Sequence, residues 1–125
     1  MPRLDALGIV VRDMSEARRF YAQLGVVIPE GDDDHLEAVM PNGLRLMFDT
    51  VELMQQFTHW EEPSGHRMGL AFLCDSPAEV DATCESLRQA GFQVAKEPWD
   101  AFWGQRYAQV TDPDGNLVDL FAPLG

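Results

Sequence analysis

Trp99-Asp100-Ala101-Phe102-Trp103-Gly104-Gln105-Arg106-Tyr107, followed closely by Asp112-Pro113-Asp114-Gly115-Asn116-Leu117-Val118-Asp119-Leu120-Phe121, is the part of the chain whose reading decides the fold. The middle of it, Asp112 to Asn116, is a turn with a mechanism. Proline presets φ, Asp and Asn side chains hydrogen-bond the local backbone, and Gly115 accepts a positive φ. The flanking residues 106–110 and 116–121 read as the two strands of a hairpin. Ahead of them, Trp99, Phe102 and Trp103 set three flat rings beside Arg106 in what reads as a glycine-containing loop. Two fates are open to these rings: core anchors of a small sheet protein, or the wall of a binding site.

Working outward, the same punctuation recurs upstream. Pro41-Asn42-Gly43 matches Pro113-Asp114-Gly115, and Leu24-Gly25 matches Ala90-Gly91. Between these marks the elements come in the same order twice. The first copy opens with an apolar strand at residues 6–11, and Asp13 is placed to cap a helix whose apolar face is Ala17, Phe20, Tyr21 and Leu24. Gly25 closes that helix. A short strand at 26–28, an acidic turn, a hairpin of 35–40 with 44–49, and a connector at 50–66 that holds Trp60 follow. In the second copy a strand at 69–74 leads to Ser76 and Pro77, the cap and first turn of a helix lined by Val80, Cys84, Leu87 and Ala90. A strand at 92–94 and the closing hairpin complete it. The expectation is an α+β fold in one domain, residues 1–125, built of two βαβββ modules at about 4–60 and 66–125.

Composition narrows the function. A chain of 125 residues, 46% of them hydrophobic, is long enough for one real core. Nine basic against twenty-one acidic residues give a net charge of −12, which argues against nucleic acid and anionic membranes as partners and leaves a mild attraction for cationic ligands. The first residues do not read as a signal peptide and no apolar run reaches membrane-spanning length, so a cytoplasmic location is expected. Cys74 and Cys84 fall in different elements and offer neither a disulfide framework nor metal-ligand spacing.

Two such modules ending in Asp112-Pro113-Asp114-Gly115-Asn116-Leu117-Val118-Asp119 resemble the vicinal oxygen chelate superfamily, which includes glyoxalase I, extradiol dioxygenases and the bleomycin-resistance binding proteins. The resemblance implies a concave half-barrel sheet, often completed by a second subunit in a dimer. Metal-using members carry His, Gln or Glu on the first and last strands of each module. The matching positions here are Ala6, Met47, Gly69 and Asp119, of which only Asp119 is an ordinary ligand for a divalent ion. No metal or other cofactor is therefore expected. His35, His59 and His66 read as loop or edge histidines.

Three further runs, residues 45–52, 98–108 and 119–124, are similar to the mitomycin-binding branch of drug-resistance proteins, which implies a homodimer that sequesters a drug and stacks it near Trp99, Trp103 and the Phe48 region. Strand alternation turns Arg45, Met47, Asp49 and Asp119 to the cavity and Phe48 to the helix side. The expected function is non-catalytic binding and sequestration of a flat aromatic molecule, such as an antibiotic, by Trp99, Phe102, Trp103, Arg106, Tyr107, Met47, Asp49, Trp60 and Asp119. The alternative is a glyoxalase- or dioxygenase-type enzyme of the same superfamily, metal-dependent or using Asp119 as a base. Whether the protein is an enzyme stays open, and the side chains at the ligand positions favour binding.

Overall fold

The computed structural model describes all 125 residues, which form two compact units, 1–63 and 64–125. The first unit contains β1 (Ala6–Val11), α1 (Met14–Ala22), β2 (His35–Val39), β3 (Arg45–Thr50) and α2 (Val51–Phe57). The second contains β4 (Leu70–Leu73), α3 (Pro77–Gln89), β5 (Gln93–Ala101), β6 (Gln105–Thr111) and β7 (Leu117–Pro123). Each unit has one mixed, open sheet, ordered β1-β3-β2 in the first and β4-β7-β6-β5 in the second. The first and last strands of each unit run parallel and the other neighbours antiparallel. Neither sheet closes into a barrel.

In the first unit Asp13 caps α1 by accepting from the backbone N–H of Ser15 at 2.9 Å. The helix buries Ala17, Phe20 and Tyr21 over the side of the sheet that carries Ile9, Val11, Leu46 and Phe48. Tyr21 and Phe48 meet with ring centroids 5.2 Å apart, which fixes Phe48 on the helix side. In the second unit the Ser76 hydroxyl accepts from the Glu79 N–H, while the Glu79 carboxylate accepts from the Asp75 N–H. The helix so started packs Val80, Cys84 and Leu87 against the buried Val110, Val118 and Leu120 side of its sheet.

The repeated punctuation has repeated geometry. Gly25 and Gly91 take φ of +79° and +94°, and each lets the next N–H reach back to a helical carbonyl, Val26 to Tyr21 and Phe92 to Leu87. Gly43 and Gly115 take +90° and +89° in turns closed by Met40 with Leu44 and by Asp112 with Asn116.

Three expectations are corrected. Residues 26–28 are not a strand, so the first sheet has three strands. Val26 and Ile28 are buried with Val27 turned out, as in a strand, but the Arg18 guanidinium of α1 takes the Ile28 and Pro29 carbonyls. The connector after β3 contains α2, capped by the Thr50 hydroxyl, which accepts from Leu53 N–H at 3.2 Å. Trp99 is not in a loop. β5 runs on to Ala101 as an edge strand with Trp99 opposite Tyr107, and it absorbs Pro98 through a register shift between Lys96 and Trp99.

Candidate functional site

Residues paired across strands share a face, so the ladders define what each sheet presents opposite its helix. Two rows cross the open face of the second sheet. Leu73, Phe121, Tyr107 and Trp99 form one, and Ala71, Asp119, Gln109 and Lys96 form the next. The turn from β5 to β6 brings Phe102 and Trp103 to the same place. It is closed by the Gly104 N–H donating to the Ala101 carbonyl, with Gly104 at a φ of +92°.

The rings pack edge-to-face. Trp103 lies 4.9 Å from Phe102, 5.4 Å from Tyr107 and 5.6 Å from Trp99, centroid to centroid. The Trp103 indole N–H donates to Gln105 Oε1 at 2.8 Å, which sets its ring plane. Phe102 is 90% exposed and Trp103 49%, so the cluster leaves much of its apolar surface in water. The Trp99 indole nitrogen is buried and has no hydrogen-bond acceptor. Above that ring stands the Lys96 ammonium, 4.8 Å from the centroid.

Tyr107 and Asp119 are diagonal neighbours on this face. Burial first, and then the Asp119 carboxylate, push the phenol up to about 12, while a hydrogen bond from Gln109 pulls the other way. The hydroxyl therefore stays protonated near neutrality, beside the Asp119 carboxylate.

Arg106 is not part of this face. Its neighbours in the ladder are Asp100 and Ala122, on the helix side, and its guanidinium is held by Asp81 of α3 at 2.9 and 3.1 Å and by Asp100 at 3.1 Å. One residue of alternation separates it from Tyr107, and alternation wins.

Met47 and Asp49 lie on the open face of the first sheet, in rows with Gly8 and Glu37 and with Val10 and His35. His35 thus begins the edge strand β2 and lies on the open face. Its Nδ1 is 2.5 Å from Asp49 and its Nε2 2.7 Å from Glu37. Hydrogen bonds to Glu37 and then Asp49 raise the imidazole above its ordinary value, against a small opposing effect of burial. Arg45 continues the ladder, binding Glu37 at 2.5 Å and Asp5 at 2.6 Å. Trp60 is half-buried beyond α2, in the first unit. Of the nine side chains expected to form a site, Trp99, Phe102, Trp103, Tyr107 and Asp119 come together on one sheet face. Met47 and Asp49 share the other. Sequence reasoning missed Lys96 and Gln109; the bulge in β5 that turns Lys96 to this face leaves no local signature.

A family model, that of the Glyoxalase/Bleomycin resistance protein/Dioxygenase superfamily, matches residues 3–120. The chain belongs to that superfamily. Among solved structures it is similar to a glyoxalase/bleomycin resistance protein/dioxygenase from Nocardioides, 28% identical with a TM-score of 0.77 over 99% of this chain and 85% of that one. A family enzyme from Burkholderia phytofirmans PsJN superposes with a TM-score of 0.85 at 23% identity, over 98% of this chain and 100% of the other, a likeness of fold. The uncharacterized protein YraH of Bacillus subtilis (strain 168) is 26% identical over 98% of this chain and 99% of its own.

Superfamily enzymes that use a metal need a set of donors, and the side chains here do not fit one. Ala6 and Gly69 carry no donor atom, and a Cβ on Gly69 would stand a tight 3.3 Å from the Leu117 carbonyl. Met47 offers a thioether. No three His, Cys, Asp or Glu side chains are grouped to hold an ion. Both nitrogens of His35 are engaged by carboxylates, which leaves that ring no free lone pair to give. The buried thiols are poor nucleophiles: burial raises both, and Cys74, further raised by Glu79, reaches about 11. No helix is long and apolar enough to cross a membrane.

Proposed function

We propose that this superfamily member binds and sequesters a flat aromatic small molecule, such as an antibiotic, on the open face of the second sheet, without covalent chemistry. One observation carries the reading: an edge-to-face cluster of Trp99, Phe102, Trp103 and Tyr107 that keeps Phe102 and half of Trp103 in water. A cluster formed only to stabilise the hairpin gains nothing from that exposure, whereas a planar ligand would bury it. Asp119 and the Tyr107 hydroxyl supply polar contacts beside the rings. The superfamily's bleomycin resistance proteins, and the similarity of residues 98–108 to the mitomycin-binding branch, support the same class of ligand. In this reading a second copy of the chain completes the pocket, no cofactor takes part, and the protein works in the cytoplasm.

Sequestration lowers free drug only in proportion to protein present, so micromolar affinity or better is needed, about −8 kcal/mol. The test is quenching of intrinsic tryptophan fluorescence by a panel of planar antibiotics, with and without EDTA. Saturable quenching by one class, unchanged by EDTA and abolished in Trp103→Ala, supports the proposal. Stoichiometric uptake of Zn²⁺, Ni²⁺ or Fe²⁺, with a ligand response only in the metal-loaded protein, sinks it. The Tyr107–Asp119 pair favours one other reading, a metal-free enzyme that uses Asp119 as a base. Asp119→Asn separates the two, because loss of turnover with intact binding belongs only to the enzyme.

A further inference from the structure

The open face of the second sheet has an internal occupant that indicates its preferred ligand. Lys96 reaches back across the bulge in β5 and holds its ammonium 4.8 Å from the centre of the Trp99 ring. Lys96 is exposed and its stem flexible, so its free alternative is full hydration. An indole face is the strongest aromatic attractor of a cation, and this one lies in an edge-to-face cluster whose rings are held by their neighbours.

The electrostatics of the face agree. The two central rows hold one anion, Asp119, diagonal to the Tyr107 phenol, and one cation, Lys96 itself. The one cation of β6, Arg106, is turned to the helix side and neutralised by Asp81 and Asp100. Behind the face stands a chain with a net charge of −12, which concentrates cations at its surface. Displacing one flexible lysine would thus expose an indole face, a half-exposed second indole and a carboxylate to an incoming molecule.

We infer that the ligand class of this face is a planar organic cation, an aromatic ring system bearing a protonated amine or comparable positive group. The ligand's charge replaces the Lys96 ammonium over Trp99 or pairs with Asp119, and its ring plane covers Trp103. The inference rests on the binding reading given above and adds the sign of the charge to it.

The experiment compares two probes of one shape by calorimetric titration at pH 7.5: 9-aminoacridine, a cation there, and acridine, which is neutral. The expected result is that 9-aminoacridine binds roughly tenfold more tightly than acridine. Asp119→Asn removes most of that advantage and leaves acridine unchanged, while Lys96→Met strengthens 9-aminoacridine a few-fold by removing its competitor. Raising the salt from 50 to 500 mM weakens the cation and spares the neutral probe. If acridine binds as well as 9-aminoacridine, the charge preference is wrong and binding of flat aromatics stands. If Lys96→Met weakens the cation, the lysine is a ligand contact and not a stand-in, and the inference is overturned. If neither probe binds a protein whose circular dichroism shows it folded, both readings fall together.

Discussion

His35 makes a prediction in which sign and size both follow from the ladder on the first sheet. Its imidazole sits between Asp49 and Glu37, and Arg45 and Asp5 extend the chain of alternating charge. Because its partners are both carboxylates, folding raises the pKa above the ordinary 6.5. A raised folded-state pKa means that the stabilisation is fully present below about 6.5 and is lost as pH rises through the folded value. The side chain is 42% exposed, so the pair interactions are screened and about 0.5–1 kcal/mol is expected. For a chain of this length that is about 2–4 °C in Tm. The assay is thermal unfolding by circular dichroism of the wild type and His35→Gln, from pH 5.5 to 9, with the imidazole followed by NMR. The wild type should exceed the variant at pH 6 and converge with it at pH 9. A His35 ring that titrates at or below 6.5, or a gap between the curves that ignores pH, would refute the ladder.

Phe48→Ala should cost about 3–5 kcal/mol in urea unfolding, because the ring is fully buried against Tyr21; a loss under 1 kcal/mol would mean that it faces the open side. Arg106→Met should lower stability by about 0.5–1 kcal/mol through Asp81 and Asp100 and leave acridine-dye affinity unchanged, in contrast to Trp103→Ala, which should abolish dye binding. A matching loss of affinity in Arg106→Met would place its guanidinium at the site after all. Cys74 and Cys84 should resist a disulfide reagent at pH 8 until the protein unfolds, since both thiols are buried and raised, Cys74 to about 11. Rapid labelling of the native protein would show that these elements open far more easily than their packing implies.

What the sequence determined by itself is what backbone chemistry encodes locally. Asp13 and Ser76 cap helices because a short side-chain oxygen reaches N–H groups two or three residues on. Gly25, Gly91, Gly43 and Gly115 mark helix ends and hairpin turns because each needs a positive φ, and their spacing disclosed the repeat. The two-sidedness of β1 and β3 was legible as well, since period-two alternation leaves Phe48 one face to take.

The tertiary structure decided whatever depends on partners distant in sequence. Residues 26–28 alternate in burial like a strand, yet they pair with no strand, and the Arg18 guanidinium donates to the Ile28 and Pro29 carbonyls instead. His35 was not expected on the open face until register set it against Asp49, and Arg45 found Asp5 forty positions away. The tryptophans were visible from the start as a dense run of rings. That Trp99 belongs to a strand, that Trp103 stays half in water, and that Lys96 stands over the Trp99 indole follow from a bulge in β5 and the pairing of β5 with β6. Dihedral preferences act within a few residues and can be read in order. Which face a side chain shares, and with which charge, is set by strand register, and register is a property of the assembled sheet.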